Sequence, residues 1–171
     1  MKLSLAISLT GVLTALNIVG RISLVILPNI SPVAPLTLLA GYLGGSYVGF
    51  LVGFMSMFIS DIYIGPGPWT LITSLGMGLV GVLGGLIRRL QLDYTLTLVI
   101  SFIIVLFYDV FTSIILMYPF GVPPYIAVIN LFIPAIQYGI PYPMGLMHEY
   151  TSSVLFVGVL RTLRRYLGEL I

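Results

Sequence analysis

Six apolar stretches occupy most of this chain, and they restrict it more than any motif does. They cover residues 3–27, 33–43, 47–62, 70–87, 95–118 and 144–163. A helix needs about 20 mostly apolar residues to cross the hydrocarbon of a bilayer. Most of the stretches suffice; residues 33–43 form a short one, expected to be tilted or only partly spanning. Charged residues amount to 7% of the 171, against about 25% in a soluble domain, so a wetted globular surface cannot be built. The expectation is an all-α membrane protein with six transmembrane helices in a single domain over residues 1–171. Met1-Lys2 followed by an apolar run is similar to a signal peptide, but no small-x-small cleavage pattern follows and five more apolar runs do. It is read as a retained first span. Cysteine is absent, which removes disulfides and thiolate chemistry, and a net charge of +2 is too small for a nucleic-acid binder.

Charge and proline give the helix count two checks. Cationic loops stay on the cytoplasmic side of a membrane. With six spans, Lys2, Arg88, Arg89, Arg161, Arg164 and Arg165 all fall on one side, and Arg21 alone falls toward the other. Five or seven spans would scatter them, so both termini are expected in the cytoplasm, with the chain in the cell membrane. All 11 prolines (28, 32, 35, 66, 68, 119, 123, 124, 134, 141 and 143) lie in or beside the three connections on the opposite side. The inner connections, 44–46 and 88–94, have none. Proline stiffens loops and ends helices. Three shaped outer loops point to a binding site open outward; the plainer alternative is that proline only terminates helices there. Residues 120–143, apolar but rich in proline, are expected to hold a short re-entrant or surface helix between the fifth and sixth spans, since lipid does not tolerate bare irregular backbone.

Five ionisable groups sit inside spans, toward their outer halves: Arg21, Asp61, Asp109, His148 and Glu149. Each costs about 2.5–3.5 kcal/mol at mid-membrane, so such groups face a cavity or one another. Arg21 shares a helix face with Asn17, Thr14 and Thr10. Asp109 lies near Ser101, Tyr108, Thr112 and Ser113, and Ser152 and Ser153 follow His148 and Glu149. One reading pairs these charges to lock helices, for example Arg21 with Asp109 or Glu149. The other makes them the floor and walls of a pocket beneath the loops. Nearby aromatic residues (Tyr63, Trp69, Tyr118, Phe120, Tyr125, Tyr142) suit either stacking on a planar ligand or an interfacial belt.

Glycines at 41, 45, 49 and 53, and at 81 and 85, have the small-xxx-small spacing that brings helices close in lipid. Gly11 with Ala15, and Ala6 with Thr10, repeat it on the first span. Internal packing and docking on a partner are both served by such stripes. Other chemistries lack their residues. There is no phosphate-binding Gly-x4-Gly-Lys, and two prolines deprive Gly65-Pro66-Gly67-Pro68-Trp69 of the donors that a phosphate cradle needs. His148-Glu149 opens like a zinc-protease motif, but His148 is the single histidine of the chain. With no positioned nucleophile, no enzyme activity, cofactor or metal is expected.

The chain resembles the substrate-binding S components of energy-coupling factor (ECF) vitamin transporters. The resemblance rests on Ala15-Leu-Asn-Ile-Val-Gly-Arg21 and the Pro28-Asn29 turn, on Leu39-Ala-Gly-Tyr-Leu-Gly-Gly45 and Val48-Gly-Phe-Leu-Val-Gly53, and most of all on Ser60-Asp61 leading into Gly65-Pro-Gly-Pro-Trp-Thr70. His148 at the start of the last span also fits. It implies a subunit that captures a vitamin-like small molecule near the outer face, under the loops between spans one and two, three and four, and five and six. It also implies a coupling membrane subunit and two cytoplasmic ATPases as partners. The Gly-Pro-Trp-Thr loop is similar to that of members assigned to cobalamin-like compounds. A corrinoid would suit Asn17, Asn130 and Gln137, whereas a smaller vitamin or nucleobase-like precursor would suit Arg21, Asp109 and the aromatics. The expected substrate-binding set is Asn17, Arg21, Asp61, Trp69, Tyr108, Asp109, Asn130, His148 and Glu149. The Ala-xxx-Ala docking surface of the family is not intact on the first helix; Ala6, Thr10, Gly11 and Ala15 stand in its place. A stand-alone proton-coupled carrier or channel subunit is the competing reading, on the strength of the intramembrane carboxylates.

Overall fold

Each of the six apolar stretches forms a helix in a computed structural model, which describes residues 2–27, 30–132, 135–137, 140–142 and 144–167, with side chains outside 133–145 and up to 166. They are α1 (Leu3–Ser23), α2 (Val33–Gly44), α3 (Ser46–Ile64), α4 (Trp69–Leu90), α5 (Tyr94–Met117) and α7 (Met144–Leu167). Helices α1, α3, α4 and α5 are long and apolar enough to cross a membrane. The Pro28-Asn29 turn and the side chain of Gln137 lie outside the described residues.

Between α5 and α7 the chain makes a 3-10 turn at Tyr118–Phe120 and then the nine-residue α6 (Pro124–Phe132). A hairpin follows, β1 (Ala135–Gln137) and β2 (Ile140–Tyr142), antiparallel with Ala135 opposite Tyr142. A short helix occurs in this connection, as expected, and the hairpin is an addition to it. Pro141, within β2, is incompatible with a helix interior, and strand pairing satisfies backbone groups that a helix would otherwise have satisfied. Apart from this hairpin the described structure is all-α.

Glycine sets the packing of the centre. A Cβ on Gly41 or Gly49 would collide with the backbone of Gly81, one on Gly53 with the backbone of Met77, and one on Gly84 with the backbone of Leu38. Helices α2, α3 and α4 therefore touch main chain to main chain, which only the four-residue glycine spacing permits. The stripe of glycines at 41, 49, 53, 81 and 85 is internal packing and is not available to a partner. Gly45, at φ +88°, turns α2 into α3 in a backbone conformation that a side chain would strain. Enclosed in this way, α2 buries Val33, Ala34, Leu38, Leu39, Ala40 and Tyr42. By contrast α1 lies against α2 and α3 and buries only Leu13, Thr14 and Asn17.

Helices α5 and α7 pack on each other and close the bundle beside α4 and α2. Phe156 of α7 is fully buried and meets the Tyr42 ring edge-on at 6.2 Å. Arginines tie the ends of these helices together. Arg88 donates to the Leu43 carbonyl at 3.0 Å, Arg164 donates to the Tyr42 hydroxyl, and Arg161 and Arg164 lie over the Tyr94 ring at 5.8 and 5.5 Å. At α5's start the Asp93 side chain accepts from Leu96 N–H at 2.7 Å, a standard N-cap.

Candidate functional site

The opposite, proline-rich end of the bundle holds a cavity of about 320 Å³. Its lining comes from most of the chain: Arg21 of α1, Leu24, Val25, Leu27, Ile30 and Ser31 of the α1–α2 connection, Val33 of α2, Met57 and Ile64 of α3, Met77 of α4, Tyr108, Asp109 and Thr112 of α5, and His148 of α7. A small-molecule pocket typically spans about 300–1,000 Å³ and combines an apolar lining with a few placed polar groups. This cavity has that character.

Its charges are paired across helix seams. Arg21 contacts Asp61 Oδ1 at 2.6 Å, joining α1 to α3, and also donates to Ser60 Oγ and, at 3.4 Å, to the Met57 carbonyl. Asp61 is almost wholly buried; removed from water, its carboxylate needs this guanidinium. On the other seam, His148 Nδ1 lies 2.7 Å from Asp109 Oδ2, joining α7 to α5, and Tyr108 meets the imidazole edge-on with ring centroids 6.3 Å apart. The pairs suggested by the sequence, Arg21 with Asp109 or with Glu149, are not those formed. Arg21 rides on α1, whose neighbours are α2 and α3, so the acid within reach is Asp61.

Of the residues expected to bind substrate, Arg21, Tyr108, Asp109 and His148 line the cavity. Asp61 supports it from behind through Arg21. Asn17 is buried a turn further in, where its amide donates to Ser56 Oγ at 3.1 Å and Thr37 Oγ1 at 3.4 Å, fastening α1 to α2 and α3. Glu149 is fully buried beside the His148–Asp109 pair without lining the cavity, and neither carboxylate oxygen has a protein partner among the described residues. Trp69 is 45% exposed at the start of α4, its ring over Gly67, and Asn130 is exposed on α6; neither is part of the lining. Sequence reasoning left out the apolar wall, Met57, Met77, Ile64 and Val33 among it. An apolar residue in an apolar helix carries no local mark of facing a ligand.

A multi-helix membrane protein with a cavity of small-molecule size at one end is the class that this geometry defines. The chain matches the family described as ECF-type riboflavin transporter, S component, over residues 3–160, and it belongs to that family. No curated protein and no solved structure matches it. The membership bears out the resemblance drawn from the glycine and Gly-Pro-Trp-Thr segments: the chain is an S component of an ECF vitamin transporter.

Proposed function

We propose that the chain captures riboflavin, or a close flavin relative, at the proline-rich end and hands it inward as part of an ATP-driven importer. The carrying observation is the cavity itself. Among the described residues each charged group in its wall already has a partner, Arg21 with Asp61 and Asp109 with His148. A site whose charges are satisfied favours an uncharged ligand, since a charged one would have to compete with those pairs. The rest of the lining is largely apolar with one tyrosine, which suits a planar ring system. The family description supports a flavin. A corrinoid is far bulkier than about 320 Å³, which weighs against the cobalamin-like ligand that the loop similarity favoured.

In this reading six helices cross the cell membrane: α1 to α5 and α7. Helix α2, at 12 residues, is about 18 Å long against about 30 Å of hydrocarbon. It spans only in part, sheltered by the surrounding helices, with the α1–α2 connection completing the crossing under the outer loops. Helix α6 lies at the outer surface, and both termini face the cytoplasm. A coupling membrane subunit, driven by two ATPases, docks on α1. Support comes from the exposed Gly11 and Ala15 and from a shallow groove of about 310 Å³ that includes Ala6, Thr10 and Gly11.

Titration of riboflavin with purified protein tests the substrate. Saturable quenching of flavin fluorescence is expected. Asp109→Ala, which removes the carboxylate oxygen that His148 does not engage and so a charge-assisted hydrogen bond from the ligand, is expected to weaken binding at least about tenfold, as a loss of about 1.5–3 kcal/mol would. Absence of saturable binding overturns the substrate, and uptake into vesicles by this chain without ATPases overturns the capture role.

A further inference from the structure

A second cavity, of about 220 Å³, lies between α4 and α5. Tyr108 supplies the single polar atom among its lining side chains, the remainder being glycine, aliphatic residues and phenylalanine. Water needs two to four polar partners to occupy a site, and this one does not provide them. Its rim is open on the outside of the bundle, where Leu79 and Phe107 are 54% and 67% exposed. Its walls come from the interiors of α4 and α5, both long and apolar enough to span a membrane. At that depth the surrounding medium is hydrocarbon.

Tyr108 belongs to both cavities. One side of its ring meets the cleft, and the residue also lines the ligand cavity, edge-on to His148. Gly76 of α4 lies directly against the ring, where an added Cβ would stand 3.0 Å from it. The α4 main chain supports the ring there, and whatever fills the cleft beside it meets Tyr108 as part of the wall. We propose that the α4–α5 cleft is an acyl-chain site for a bilayer lipid, and that the bound chain braces Tyr108 and thereby sets the affinity of the ligand cavity. The link to affinity rests on the ligand-capture reading above; the acyl-chain site does not.

Two arms test this on the full chain. In the first, Trp69→Phe removes the one native tryptophan, and Tyr108→Trp, Phe107→Trp or Phe156→Trp adds a reporter, in vesicles of phosphatidylcholine brominated along its acyl chains. The Tyr108→Trp variant is expected to be quenched nearly as strongly as the lipid-facing Phe107→Trp variant. Quenching no greater than that of the core Phe156→Trp variant overturns the site. In the second arm, riboflavin affinity of the native chain is measured in phosphatidylcholine vesicles and in micelles of a rigid steroidal detergent whose fused rings do not fit the cleft. A loss of about fivefold in the micelles is expected, the lower end of coupling between sites. Ile104→Phe, which fills the cleft from α5, is expected to abolish the difference. Equal affinity of the native chain in both media, or a difference that survives Ile104→Phe, overturns the coupling. If no medium supports flavin binding while Tyr108→Trp is quenched, the substrate reading and the coupling fail and the acyl-chain site stands.

Discussion

The α2–α3–α4 trio and the three helices around it are held together by opposite means. Inside the trio, glycines let backbones meet directly, and nothing polar is needed where Gly41, Gly49 and Gly81 converge. Helix α1 is fastened to the trio by Asn17 and by the Arg21–Asp61 pair, and α7 is fastened to α5 by His148–Asp109. Main-chain contact of this kind leaves no room to adjust, because packed interiors repack poorly around added volume. Polar fasteners work differently: each is strong only while both partners are present. The cavity lies where the two regimes meet, walled by the rigid trio on one side and by the fastened helices on the other. Arg21, Asp109 and His148 therefore pair across helix seams and line the cavity at the same time.

Substitutions can break this contrast at either side. The largest effect is expected from Gly81→Val, whose added carbons would have to pass through the Gly49 backbone. A destabilisation above about 4 kcal/mol, in the range reserved for gross misfits, would appear as loss of monodisperse protein on size exclusion in detergent. Recovery of normally stable protein would show the trio to be more pliable than its geometry implies. Next is Arg21→Ala, which strands Asp61 as a buried carboxylate without a partner. About 3 kcal/mol is the expected cost, read as a lowered thermal midpoint, with partial recovery when Asp61→Ala is added. A double variant no more stable than the single one would mean that the pair does not fasten α1. Smallest is Gly11→Ala on the open face of α1, where a Cβ meets nothing within 4 Å. The midpoint should move by less than about 0.5 kcal/mol equivalent; a larger drop would place Gly11 inside the packing and not on the proposed docking face.

Much of the architecture was legible in the sequence because it follows from local composition. Apolar length set the helices to within a few residues: 47–62 became Ser46–Ile64 and 95–118 became Tyr94–Met117. The prolines located the end of the bundle where the cavity opens. Four of nine expected substrate residues line that cavity, since intramembrane charge is costly enough to be informative by itself. Where the geometry differs from the expectation, the cause is physical. Trp69 and Asn130 were chosen for their chemistry, yet their direction depends on how α4 and α6 are rotated. The partner of Arg21 depends on which helix lies beside α1, a long-range fact that no spacing along the chain encodes.

By itself, then, the sequence determined that this chain is a helical membrane protein with polar groups gathered toward one end, because too few charges exist to wet a globule and each buried one needs a reason. The glycine spacing also marked which helices can approach closely. Tertiary structure alone decided that the 41–53 and 81–85 stripes face each other while Gly11 stays open, that Arg21 meets Asp61 and His148 meets Asp109, and that Tyr108 lines both the cavity at the proline-rich end and the cleft between α4 and α5. Those outcomes depend on helix rotation and neighbour order, which are set by the sum of packing over the whole bundle and not by any residue's own preference.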